Sequence, residues 1–177
     1  MHFAGHVRVG AAYSGMEPLV IRETPGAPIA CDMTGAPDTP EERIAEYGRL
    51  FAHALVGRER SAEAVEFTFA AKPGVAEWVA DLAKREAACC PFFTYNVSFT
   101  AERVVWRTSS QAGPAAQVTL DEFHALPERF VDGFDGFLKR LRARGVAVAT
   151  PAPGRFALDE KQGSGGLLGK LKGACGC

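Results

Sequence analysis

Five cysteines are the residues of this 177-residue chain best suited to chemistry: Cys31, the adjacent Cys89 and Cys90, and Cys175 and Cys177. An odd count without a secretory leader does not read as a disulfide framework. In a reducing compartment, clustered thiols point instead to metal binding or thiol chemistry. Neighbouring Cα atoms lie about 3.8 Å apart across a trans peptide, closer than the roughly 4.4–6.8 Å of ordinary disulfides. A bond between Cys89 and Cys90 would therefore be strained, and two free thiols side by side are expected. Such a pair suits a soft ion: Hg(II), Cu(I), As(III) or Zn(II). Cys175 and Cys177 follow the glycine-rich stretch Gly163-Ser164-Gly165-Gly166. A tethered dithiol has a high effective concentration near its own domain, so this pair is expected to capture an ion and pass it inward. The bland alternatives are burial of Cys31, Cys89 and Cys90 as small core residues and an incidental role for the tail.

The pair must be positioned by a helix. After Lys72-Pro73-Gly74 the pattern predicts one from Val75 to about Cys90, halted by Pro91. At roughly 100° per residue, Val75, Trp78, Val79, Leu82, Glu86 and Cys89 share one core-facing stripe. Glu86 thus points inward, three residues before Cys89. A carboxylate in an apolar stripe is costly unless it is paired, hydrogen-bonded or protonated. It is either salt-bridged to an arginine such as Arg107 or Arg43, or part of a reactive site. At a helix C-terminus the dipole disfavours a thiolate, so activation would have to come from the metal or a nearby cation.

Other elements follow from pattern. Pro18–Ile21 could be an edge strand, and Pro28–Met33 reads as a strand with Ile29, Cys31 and Met33 on its apolar side and Asp32 opposite. Thr39, Pro40 and Glu42 form a helix start with a capping box, followed by the stripe Ile44, Tyr47, Leu50, Phe51 and Leu55 up to Gly57. Val65, Phe67 and Phe69 alternate as a strand, as do Phe93, Tyr95, Val97 and Phe99, the latter forming a hairpin with Val104–Thr108. Ser109–Gln117 reads as a loop, and Thr119 with Glu122 as a second capping box. Pro127 then restarts a helix with the stripe Phe130, Phe134, Phe137, Leu138 and Leu141, ending before Gly145. The run from Lys139 and Arg140 to Arg144 reads as its solvated last turn. This order implies an α+β fold, a small mainly antiparallel sheet with helices packed on it in two layers. The expected division is an extension over 1–27, one domain over 28–149 and a flexible tail over 150–177.

Composition narrows the partners. With 20 basic and 21 acidic residues and a net charge of −1, a nucleic-acid partner is not expected. No apolar run of eighteen residues indicates a membrane span, and the N-terminal residues lack a signal-peptide pattern. A cytoplasmic location is expected. His2, His6, His53 and His124 show no ligand spacing, although His2 and His6 could close over a metal. Phosphate loops, nucleophile elbows and His-Glu-x-x-His are absent.

The combination Ile29-Ala30-Cys31-Asp32, then Glu42-Arg43, then Glu86-x-x-Cys89-Cys90-Pro91-Phe92-Phe93-x-Tyr95 resembles a bacterial domain with the form Glu-x-x-Cys-Cys-x-Phe-Phe-x-Phe. That domain occurs alone or fused behind regulators of the MerR type. The resemblance covers roughly residues 28 to 108 and implies a heavy-metal context, with Cys31, Glu86, Cys89 and Cys90 as the matching positions. The leading expectation is thiol-based binding and transfer of a thiophilic metal or metalloid in metal resistance, through Cys89 and Cys90, with Cys31, Cys175 and Cys177 contributing. The rival is an enzyme that cleaves a carbon–mercury bond, with two thiolates holding the metal of a small organometallic and Glu86 or Asp32 protonating the leaving carbon. A third reading is an effector-sensing module with buried, inert cysteines.

Overall fold

Helix α1 (Pro40–Ala54) starts as its sequence dictates: the Thr39 side chain accepts from the Glu42 backbone N–H, Glu42 accepts from that of Thr39, and Pro40 occupies the first turn. Ile44, Tyr47, Leu50 and Phe51 form its buried face. The computed structural model of the protein describes residues 16–30 and 32–146. Five antiparallel strands follow the order β1-β4-β5-β3-β2. They are β1 (Leu19–Ile21), β2 (Leu55–Arg60), β3 (Ala64–Ala70), β4 (Thr94–Phe99) and β5 (Arg103–Ser109). With helices packed against that sheet, the architecture is the expected two-layer α+β fold.

The inward sheet face carries Val65, Phe67 and Phe69 of β3, Tyr95 and Val97 of β4, and Val104 and Trp106 of β5, all buried. Cross-strand register pairs Val97 with Trp106 and Phe67 with Trp106, so the aromatic row runs across the sheet rather than along one strand. Tyr47 of α1 stacks on Trp106 with ring centroids 5.9 Å apart, and Phe123 meets both rings edge-on. Helix α2 (Val75–Cys89) lies over this layer with Val75, Val79, Leu82, Glu86 and Cys89 buried. Among the described residues, no helix is long and apolar enough to cross a membrane.

Four expectations are corrected. Residues 28–33 contain no described strand. Asp32 instead makes a local turn, its carboxylate accepting from the Thr34 N–H and hydroxyl at 2.9 and 2.6 Å, and β1 already occupies that edge of the sheet. Leu55 and Gly57 do not finish α1 but lie in β2, whose Gly57 sits at a register shift against β3. Thr119 and Glu122 are interior to α3 (Pro114–His124), which starts at Gly113-Pro114. The Thr119 hydroxyl donates back to the Ala115 carbonyl at 3.0 Å. The last helical region is broken: α4 (Leu126–Arg129), a 3₁₀ turn over Phe130–Asp132, then α5 (Gly133–Ala143), with Gly133 at φ 68° where a side chain would be strained.

The basic run is also more than a solvated turn. Arg140 donates from Nε to buried Glu122 at 2.6 Å, and Arg144 to Asp121 at 2.6 Å. The sheet includes Leu19–Ile21, which falls within the segment read as an extension.

Candidate metal centre

Cys89 ends α2 and Cys90 is its C-cap. The chain turns at Pro91 because proline cannot continue the ladder, and β4 begins at Thr94. Three backbone bonds fix the turn: Cys90 N–H to the Glu86 carbonyl at 2.8 Å, Asp32 N–H to the Cys89 carbonyl at 2.9 Å, and Phe93 N–H to the Cys90 carbonyl at 3.2 Å. The Tyr95 hydroxyl reaches the Cys90 carbonyl at 3.5 Å. Both sulfurs are thereby held in the core, with Cys89 4% and Cys90 3% exposed.

Glu86 faces inward, as its position on the wheel predicts, and of the two candidate arginines it meets Arg43. Arg43 Nη1 donates to Glu86 Oε1 at 2.7 Å, while its Nε and Nη2 form a two-pronged contact with Asp38, both at 2.6 Å. Arg85 donates to Asp38 and to Glu46, each at 2.7 Å, and the Trp78 indole N–H donates to the same Glu46 oxygen at 2.7 Å. Burial by itself would lower the Arg43 pKa; the Asp38 hydrogen bond and the Glu86 charge outweigh it and hold the guanidinium ionised. The Arg43 hydrogen bond also holds Asp38 below the usual carboxylate range.

Glu86, Cys89 and Cys90 each offer one donor atom, and the three lie within 4.8 Å of one another, all in buried residues. Cys89 Sγ is 3.7 Å from Cys90 Sγ and 3.8 Å from Glu86 Oε2. Sulfurs about 2.3 Å from a tetrahedral ion stand about 3.8 Å apart, so the sulfur separation matches one edge of such a site. The thiols differ in state. Cys89 is free, whereas Cys90 is a disulfide cysteine whose bonding partner is not among the described residues. The expectation of two free thiols is corrected on this point. Adjacency argues only against a Cys89–Cys90 bond and is silent about a more distant partner. Burial, then the nearby Glu86 charge, pushes the Cys89 thiol far above its ordinary range.

An apolar cavity of about 50 Å³ adjoins these donors. Met33, Phe93, Phe123, Leu126 and Phe137 line it together with Cys89 and Glu86. Tyr47 also lines it; its hydroxyl is buried and makes no hydrogen bond. Burial first, then the Glu86 charge, raises the pKa values of Tyr47 and Tyr95 well above their normal range, so both hydroxyls keep their protons as donors.

The other candidates separate from this group. Asp32 is exposed and its carboxylate turns toward Thr34. His53 and His124 do not belong to the donor group. Cys31, Cys175, Cys177, His2 and His6 lie outside the described residues. Sequence reasoning missed Tyr47 as a polar group of the site. The available signal was its spacing: four residues after Arg43, it shares that helix face. Compared with family models, with curated proteins and with solved structures, the chain matches none.

Proposed function

We propose that the reduced protein binds a thiophilic metal or metalloid ion through Cys89 and Cys90, with Glu86 completing the donor set. One observation carries this reading: the convergence of Glu86, Cys89 and Cys90 donor atoms within 4.8 Å inside the core. Sulfur ligation selects soft ions of the mercury, copper, arsenic or zinc class. Glu86 is anchored by Arg43 through Oε1 and presents Oε2 3.8 Å from the Cys89 sulfur. The resemblance to a domain fused with heavy-metal regulators supports a place in metal resistance, with Cys31, Cys175 and Cys177 as further thiols for capture and transfer. A carbon–metal-cleaving enzyme fits less well. It needs a proton donor beside the metal, but Glu86 is an acceptor of Arg43 and Asp32 an exposed acceptor of Thr34.

Titration of the reduced protein with Hg(II) or Cu(I), in competition with a chelator, tests the site. The Cys89→Ser/Cys90→Ser variant is expected to lose one tightly bound equivalent, while Cys175→Ser/Cys177→Ser retains it. Equal tight binding by the unmodified protein and the Cys89→Ser/Cys90→Ser variant refutes the internal site.

A further inference from the structure

Resting on the metal-binding reading, we propose that the cavity beside Cys89 receives the organic group of a small monoorganometal cation, R–M⁺, whose metal is carried by the Cys89 sulfur.

The available thiol is the first support. With Cys90 in a disulfide, Cys89 is the free thiol of the donor group. Its one thiolate on R–M⁺ gives a neutral R–M–S unit, which an apolar wall accepts without the desolvation cost of a charge. The second support is the wall itself. A hydrated ion entering here would exchange its water shell for Met33, Phe93, Phe123, Leu126 and Phe137, none of which replaces an oxygen donor. An alkyl group gains from those same contacts.

The third support is the Tyr47 hydroxyl, 1% exposed as a residue and without a hydrogen-bond partner. A buried donor left unmade costs free energy. A thiolate sulfur bearing a metal supplies the acceptor it lacks. Size limits R: about 50 Å³ accommodates a few water-sized centres at roughly 10–15 Å³ each, enough for methyl, ethyl or vinyl and too little for phenyl. The exchange is Cys89–SH + R–M–X → Cys89–S–M–R + HX. The S–H and M–X bonds break, the S–M and H–X bonds form, the proton leaves with X, and no oxidation state changes.

The test uses the full chain without reductant, so that the Cys90 disulfide stays intact. The protein is exposed to methylmercury, ethylmercury or phenylmercury chloride, then challenged with excess thiourea, a mercury ligand that leaves disulfides intact, and fragmentation of the mapped peptides reports occupancy of Cys89 separately from the other four cysteines. The expected result is retention of methyl and ethyl adducts on Cys89 at least about tenfold better than phenyl, the smallest discrimination one misfitted group gives in an apolar pocket. Phe123→Leu, which widens the cavity, is expected to narrow that ratio. No retention on Cys89, or equal retention of methyl and phenyl adducts, overturns the inference. If reduced protein nevertheless binds Hg(II) through Cys89 and Cys90, only the organic-group inference fails. If Cys89 takes up neither form, the metal-binding reading fails with it.

Discussion

Replacing Arg43 by Met removes the one charge partner that Glu86 has among the described residues and leaves a buried carboxylate, 8% exposed, beside the Cys89 thiol. Asp38 keeps Arg85 at 2.7 Å, so the loss concentrates on Glu86. Breaking one side of a buried ion pair costs about 3–5 kcal/mol, because the remaining charge stays desolvated. Glu86→Gln should cost less, about 1–2 kcal/mol, since Arg43 retains both of its bonds to Asp38 and the charge left behind is already matched. In the double variant no uncompensated carboxylate remains, and its cost should fall below the sum of the singles by at least about 1 kcal/mol, the coupling expected of residues in contact. Urea unfolding of the four proteins at pH 7, all in one redox state, measures each term. If Arg43→Met does not fold, Arg43→Lys gives the same cycle at smaller amplitude, since lysine keeps the charge and loses the planar fork. Additivity within about 0.5 kcal/mol, or a larger loss for Glu86→Gln than for Arg43→Met, would refute the paired arrangement.

Three further outcomes follow from the geometry. Tyr47→Phe removes a buried hydroxyl that has no partner, so the melting temperature should hold or rise; a loss above about 2 kcal/mol would reveal a hydrogen bond that the structure does not contain. At Gly48 an added Cβ would come 2.6 Å from the Phe130 ring. Gly48→Ala should therefore destabilise by about 1–2 kcal/mol through overpacking, and in a Phe130→Ala background it should stabilise, because the helix-propensity gain of about 1 kcal/mol is then unopposed; the same sign in both backgrounds excludes the clash. Asp38 has a folded-state pKa lowered chiefly by its Arg43 hydrogen bond, from an ordinary value of 3.8. Its stabilising contribution is fully present above that value and is lost as pH falls through the lower folded one, so denaturation midpoints between pH 2 and 5 should depend less steeply on pH in Asp38→Asn, and parallel curves would contradict the pairing.

The parts of the fold legible in the sequence are those where one local rule acts alone. Thr39, Pro40 and Glu42 define the start of α1 because their side chains bond the adjacent backbone, whatever lies elsewhere. The alternation in β3 and β4, and the inward placement of Glu86, depend only on periodicity against a buried face. The misreadings occur where a short pattern has two solutions. Ile29 and Met33 fit a strand, but a strand also needs a free edge, and the edges belong to β1 and β2. Leu55–Arg60 is an edge strand with Arg58, Glu59 and Arg60 in it, a polarity common at edges, and Leu55 four residues after Phe51 continues the helical stripe convincingly. Thr119 and Glu122 match a capping box, yet the N-cap of the helix is Gly113, six residues earlier. In the site, Glu86, Cys89 and Cys90 are legible from spacing, and Arg43 is one of two arginines that the pattern offers as the partner of Glu86. The spare Tyr47 hydroxyl and the disulfide state of Cys90 depend on contacts across the fold that spacing does not encode.

The polar groups around Cys89 form a closed set, which bears on what the centre can select. Arg43 joins Glu86 to Asp38, and Arg85 joins Asp38 to Glu46, which also takes the Trp78 N–H. Two guanidiniums thus serve the three carboxylates of this network, and each carboxylate contacts at least one of them. Hard cations such as Ca²⁺ and Mg²⁺ need about six or more oxygen ligands, and here the donor group offers one carboxylate, Glu86, while the cavity wall is largely aromatic and aliphatic carbon. Selection therefore rests on sulfur, whose bonds to soft ions are strong without a surrounding negative field. The ion-pair chain does a different job: it holds α1 against α2, so that Glu86 and the end of α2 stay fixed relative to the cavity. A substitution that breaks the chain far from sulfur, at Glu46, should lower stability first and affinity for a soft ion only through displacement of Glu86. Direct loss of affinity should require a member of the donor group, Glu86, Cys89 or Cys90, and a metal titration of Glu46→Gln beside Cys89→Ser separates the two roles.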